Sequence, residues 1–214
     1  AYVGGGVLSS PDRDKAIARI RAVPGVIEAS PMIEAQAMVV GQNQIAGAIV
    51  RGVTPADLKR TKIIANNIKG GSISGFGLGE YGGDEVLIGD RLAANMGVGP
   101  GDAITLISPT GGATAFGATP RRKVYTVGAI FSIGMSEYDQ AFLYMPLDQA
   151  QLFFGREGSI DVIEVKLANP DDLATVKPLI NQAAGPGAGG ADAVAACCCA
   201  ASCAFCSMRA STAS

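Results

Sequence analysis

The same short plan is written twice in this chain, near its two ends: a strand, a polar residue followed by Pro-Asp, and then a helix. In the first copy Ser9 and Ser10 are N-cap candidates, Pro11 takes the first turn, and Asp12 and Asp14 face the positive helix end. That helix carries Ile17, Ile20 and Val23 on one face, and Pro24-Gly25 stops it. In the second copy Ile160 to Leu167 alternates, with Ile163, Val165 and Leu167 on one face. Asn169-Pro170-Asp171-Asp172 then caps a helix whose Leu173, Val176 and Ile180 point inward, and Pro178 is expected to kink or end it. Two β-α units of this kind pair into a split βαβ, ferredoxin-like layer, so the fold class predicted is α+β with a mostly-β unit inserted. The layer takes residues 1–64 and 151–190, the insertion takes 65–150, and 191–214 is left as a stem helix or an artefactual tail. Chain ends leaving the layer on one side would suit an insertion between two membrane helices.

Between the copies, Val26 to Val40 reads as a strand pair or one long bent strand interrupted at Pro31, and Ile45 to Val53 as its return. Thr54-Pro55-Ala56-Asp57 opens a short helical turn. The run KGGSISGFGLGEYGG from Lys69 looks like a flexible, domain-crossing linker. Glu85 to Ile88 is a short strand, Asp90 caps a helix bearing Leu92 and Met96, and Gly97 ends it. The strand Ala103 to Ile107 should pair antiparallel with Lys123 to Phe131, and Pro146 should start a helix closed by Gly155.

Composition excludes several functions. With 48% hydrophobic and 17% charged residues, 214 residues can bury a sizeable core. The net charge of -2 gives no long-range reason to bind nucleic acid, and none is expected as a partner. Histidine and tryptophan are absent, which removes the commonest general base, the commonest zinc ligand and the best cation-binding ring. No run reaches the ~18 to 20 apolar residues that span a bilayer, and the first residues lack a signal-peptide layout, so the chain as written is expected to be soluble.

The motifs with a chemical reading each have a plainer one. Gly77 to Gly82 matches the G-x-G-x-x-G spacing of dinucleotide sites, but a strand follows it where the motif needs a helix, and Glu80, Asp84 and Glu85 would repel phosphate. Cys203-Ala204-Phe205-Cys206 has redox or zinc spacing without a βαβ context or a histidine. All five cysteines fall between Cys197 and Cys206, inside an Ala/Gly/Ser/Cys-rich tail that is expected to be artefactual or imperfectly assigned, although Val194, Cys197, Ala201, Phe205 and Met208 keep helical spacing. Asp171 and Asp172 are adjacent and so point apart on a helix, and Ser136 to Asp139 has no histidine to activate a nucleophile. No catalytic residue, cofactor or metal is expected.

About 14 residues, SPTGGATAFGATPR from Ser108 to Arg121, separate the two strands, against ~2 to 5 in an ordinary hairpin. Phe116 sits near the tip, with Arg121, Arg122 and Lys123 at the base. Such a loop is either a protein-binding hot spot or a solvated loop whose Phe folds back. The residues alone leave both open.

From about Ala18 to Ile180 the chain resembles the LolC/LolE lipoprotein-releasing permeases, within the wider group of MacB-type exporters and FtsX division proteins. The likeness is carried by IRAVPGVIEASPMIEAQAMV from Ile20, IVRGVTPAD from Ile49, EVLIGDRLAANMGVGPGDAITLISP from Glu85, TAFGATPRRKVYTVGAIF from Thr114, GMSEYDQAFLYMPLDQAQLFFG from Gly134 and VIEVKLANPDDL from Val162. The TAFGATPRR and MSEYD stretches look more specific to lipoprotein release. The resemblance implies a domain on the periplasmic face of the bacterial inner membrane, with a Porter-like α+β part and an inserted Sabre-like β part. It makes the hairpin 108–121 a hook for a LolA-like lipoprotein carrier, and puts Phe116, Gly117, Pro120, Arg121 and Arg122 on that hook. The further partners implied are a LolD-like cytoplasmic ATPase, a second permease subunit and lipoprotein cargo.

The chain departs from the pattern in lacking both membrane regions, as a cut-out soluble fragment would, and in its tail after Ala184. LolE-like paralogues bind lipoprotein without the carrier, and the hairpin favours a carrier-binding or dual-role copy. A MacB-like gate for a small-molecule or peptide exporter is the alternative. A carboxylate-dependent α/β enzyme would instead need a cleft of convergent titratable groups.

Overall fold

The computed structural model describes residues 2–42, 44–114 and 117–184. In chain order the elements are β1 Tyr2–Ser9, α1 Ser10–Arg21, β2 Val26–Val40, β3 Ile45–Val53, α2 Pro55–Arg60, α3 Lys62–Ala65, β4 Ile68–Gly71, β5 Glu85–Gly89, α4 Asp90–Met96, β6 Ala103–Thr114, β7 Gly117–Phe131, α5 Ser136–Ala141, β8 Phe142–Pro146, α6 Leu147–Phe154, β9 Ser159–Leu167 and α7 Leu173–Ala184. The described chain forms two compact units, one from the residues up to Met32 and from Gly158 on, the other from Ile33 to Glu157. The junctions read from the sequence at 64/65 and 150/151 therefore lie inside the second unit. The physical reason is β2, which is one unbroken strand. Its residues up to Met32 pair with β9, and from Ile33 on it pairs with β3. Pro31, with no N–H to donate, falls just before this change of partner.

In the first unit β9 lies between β1 and β2 and runs antiparallel to both. Glu28 and Lys166, opposite each other in this ladder, form an ion pair of 2.9 Å. The helices α1 and α7 pack on each other. Ala16, Ile17 and Ile20 of α1, and Val176, Ile180 and Ala184 of α7, are buried with Ala29, Ile160, Ile163 and Val165 of the strands. Burial of each such Ile or Val is worth roughly 1.5–3 kcal/mol, which holds short helices that propensity alone would not. The helix α7 continues past Pro178 to Ala184, so of the kink or end expected there the end is absent. Packing of Val176 and Ile180 on either side of the proline outweighs its lost hydrogen bond.

The second unit is a closed ring of strands. Its order is β2, β3, β8, β5, β7, β6 and back to β2, with β3–β8 and β5–β7 parallel and the other pairs antiparallel. Closure gives each of these six strands a neighbour on both sides over part of its length, and β4 pairs with the last residues of β7. Val39, Val50, Val86, Ile88, Ile104, Leu106, Val127, Phe131, Leu143 and Met145 form its core. Thr54 caps α2 by accepting from the N–H of Asp57 at 3.2 Å. Asp90 does not cap α4: β5 runs one residue further than expected, so Gly89 takes the cap position and Asp90 enters the first turn. Its charge still faces the positive end of the helix.

The glycine-rich stretch after β4 belongs to this unit and is neither a linker nor a dinucleotide turn. Phe76 within it is buried, residues 80–82 make one tight 3-10 turn, and the next element is the strand β5.

Candidate protein-docking site

Of the segment expected as a 14-residue loop, residues 108–114 and 117–121 are strand. The ladder of β6 and β7 runs from Ala103↔Thr126 through Ser108↔Arg121, shifts register, and resumes from Gly112↔Thr119 to Thr114↔Gly117. Pro109 and Pro120, both exposed, sit at the register shift, where a missing N–H costs no ladder bond. The strand β6 meets β2 only at Thr105–Ile107, and β7 meets β5 only from Thr126 on. Residues 108–114 and 117–122 are thus a two-stranded ribbon with no third strand among the described residues.

Strand alternation divides the basic run at the base of the ribbon. Arg121, Lys123 and Tyr125 share one face, whereas Arg122 and Val124 share the other. Arg121 reaches the C-terminal end of α6, where its Nη1 donates to the carbonyl of Leu152 at 2.7 Å. Lys123 donates to Oε1 of Gln149 at 2.7 Å and pairs with Asp84 at 2.7 Å. Arg122 is exposed and has no hydrogen-bond or ion-pair partner among the described residues. Of the residues predicted to bind a partner, Gly117 pairs opposite Thr114, Pro120 and Arg122 are exposed, and Arg121 is engaged within the unit. Phe116 lies outside the described residues.

The register also brings together an apolar patch on the outer face of the ring, next to the root of the ribbon. One cross-strand row is Val124, Thr105, Val40 and Ile45, and the next is Arg122, Ile107, Met38 and Gly47. Val124 is 55% exposed, Met38 45% and Ile45 59%, an unusual amount of open apolar surface for neighbouring positions. Sequence reasoning missed this patch. The outward place of Met38 and Val40 in the alternation of β2 was a legible signal, but which strands flank them was not.

The MSEYD stretch has an internal structural role. Asp139, buried, accepts from the N–H groups of Ile133 at 2.9 Å and Gly134 at 3.2 Å and from the Ser132 hydroxyl at 3.2 Å. Tyr138 stacks on Phe142 with ring centres 3.9 Å apart, and its hydroxyl is bonded to that of Tyr144. Arg51 donates to the Tyr138 hydroxyl at 2.9 Å and lies over the Phe142 ring at 4.4 Å. Burial, and secondarily Asp84, pushes the pKa of Tyr125 upward, and burial lowers that of Arg156. Among the described residues no group of three or more His, Cys, Asp and Glu is placed to hold a metal ion, and no helix is long and apolar enough to cross a membrane.

Residues 2–183 match the MacB-like periplasmic core domain. The chain belongs to that family. It is a family of ABC-transporter permease domains rather than of catalytic ones. Within it, the "Lipoprotein-releasing system transmembrane protein LolC" of Xylella fastidiosa (strain Temecula1 / ATCC 700964) is 29% identical over 160 residues, covering 75% of this chain and 38% of the relative. The protein of that name in Neisseria meningitidis serogroup B (strain ATCC BAA-335 / MC58) is 25% identical over 148 residues, covering 69% and 35%. The chain thus spans little more than a third of the length of the curated relatives it matches. Two solved structures share the fold of this MacB-like domain. The extracellular domain of the noncanonic ABC-type transporter YknZ from Gram-positive bacteria superposes with a TM-score of 0.52 at 13% identity, covering 85% of this chain and 87% of that one. The periplasmic region of MacB from Actinobacillus actinomycetemcomitans gives 0.51 at 11% identity, covering 85% and 79%.

Proposed function

We propose that this MacB-like domain works on the periplasmic face of the inner membrane, in a permease that releases lipoproteins and hands them to a LolA-like carrier docking on the β6–β7 ribbon. The observation that carries the reading is the ribbon itself. Residues 108–114 of β6 and 117–122 of β7 extend past the last residues that pair with β2 and β5, as an arm whose two edges meet no further strand among the described residues. Its root adjoins exposed apolar residues and the exposed Arg122, the mixture of apolar surface and arginine that anchors protein contacts. The LolC names of the relatives support lipoprotein release over other exports. Phe116, Gly117, Pro120 and Arg122 are the contact residues in this reading. The layer of β1, β9 and β2 is its Porter-like part and the ring its Sabre-like part. ATP hydrolysis belongs to a LolD-like subunit, and lipoprotein cargo and a second permease subunit complete the assembly.

Titration of a purified LolA-like carrier against this chain tests the reading. Phe116→Ala and Arg122→Ala should each weaken binding by ~2 kcal/mol or more. Carrier affinity unchanged in both variants, or absent in the parent chain, would refute it. A MacB-like transmission role in a small-molecule or peptide exporter is the second reading, favoured by the fold shared with MacB and YknZ. It needs no arm, so shortening the ribbon would leave export intact there and abolish carrier binding here.

A further inference from the structure

We propose that Arg121 is a positioning residue that ties the stem of the ribbon to the C-terminal end of α6, so that this helix sets the direction in which the arm points. The last carbonyls of a helix have no partner within it and carry its negative dipole end, so they attract a cation. Arg121 fills that place from a different element: Nη1 lies 2.7 Å from the carbonyl oxygen of Leu152 and 3.5 Å from that of Phe153. Gly155 closes α6 in the left-handed conformation at φ 67°, and a Cβ there would come within 2.7 Å of the Arg121 guanidinium. The helix end is therefore shaped to admit the arginine. Arg121 is opposite Ser108, the last pair before the register shift, so the clamp grips the ladder where its regular pairing stops. One turn back along α6, Lys123 holds the side chain of Gln149, giving the stem two points of attachment on one helix. Beyond Arg121 the ribbon meets no other strand among the described residues, and a swing at the root would be carried along the arm.

The consequence for docking rests on the carrier reading above, but the clamp itself is read without any partner. Amide hydrogen exchange would be followed in the whole chain for Arg121→Ala and Gly155→Ala, the second of which leaves every ribbon residue in place. Exchange over residues 108–114 and 117–122 should quicken about tenfold in both variants, while the amides of β5 keep the parent rate. Unchanged ribbon exchange in the two variants would overturn the proposal. Should Arg121→Ala loosen the ring as a whole, Arg121→Met, which keeps the buried stem and removes the donors, is judged by the same criterion. Carrier titration of Gly155→Ala then separates the two ideas: a loosened ribbon with a parent chain that binds no carrier leaves the clamp standing and removes the docking reading.

Discussion

Arg51 and Glu34 face each other across β3 and β2, with Nε 2.8 Å from Oε2, and the arginine is only 7% exposed while its partner is 36% exposed. A charge on the outer wall of a ring is ordinarily wet. This one is covered because Tyr138 and Phe142 close over it. The pair is therefore asymmetric: losing the arginine empties a packed site, and losing the glutamate uncovers one contact of several. Arg51→Ala should cost about 3 kcal/mol and Glu34→Ala about 1 kcal/mol in urea unfolding. Equal costs would contradict the asymmetry.

Gly52 of β3 faces α6 so closely that a Cβ would come 2.3 Å from the Cβ of Ala150. Gly52→Ala should destabilise by about 2 kcal/mol through overpacking. Combined with Ala150→Gly it should recover part of that loss, so a double-mutant cycle is expected to give a coupling of at least ~0.5 kcal/mol. Additive costs would show that the helix simply moves away.

The carboxylate of Asp139 holds the turn at residues 132–134 by three accepted hydrogen bonds. Asp139→Ala leaves two backbone N–H groups without that acceptor and should cost about 2–3 kcal/mol, with Asp139→Asn costing less because one oxygen remains. Thermal unfolding of both variants tests the order.

Tyr125 is 1% exposed and its hydroxyl has no hydrogen-bond partner among the described residues. Tyr125→Phe should be neutral or stabilising by up to about 1 kcal/mol, since it removes an uncompensated buried group. The raised pKa adds a pH dependence. An unfolded tyrosine ionises near pH ~10, so at higher pH the unfolded state releases a proton that the folded state keeps, and stability falls. The Phe variant should lose less stability than the parent as pH rises above that point. Parallel curves would show that Tyr125 does not contribute.

Much of the fold was legible because local chemistry wrote it. Thr54 before Pro55, Gly97 and Gly155 in the left-handed region, and the alternation of β9 each act within a few residues, and their elements formed where they were expected. Ser108 to Arg121, strand over 108–114 and 117–121, was misjudged as a loop since its Gly, Ala and Thr carry no hydrophobic alternation. Its strand state comes from cross-strand pairing, which no single segment displays. Pro178 does not end α7, one of the two outcomes expected of it, because packing of the helix supplied more than the proline removed.

What the amino-acid order carried alone was the local layer: where most strands and helices begin, and that Ser108 to Arg121 is an unusual stretch. Only the tertiary structure decided that three consecutive basic residues have different fates. Arg121 and Lys123 turn onto α6 and Arg122 faces outward, because a strand sends neighbours to opposite sides and only ring closure says which side holds a helix. Chain order encodes the alternation, but the partner waiting on each side is a property of residues brought together from far along the sequence.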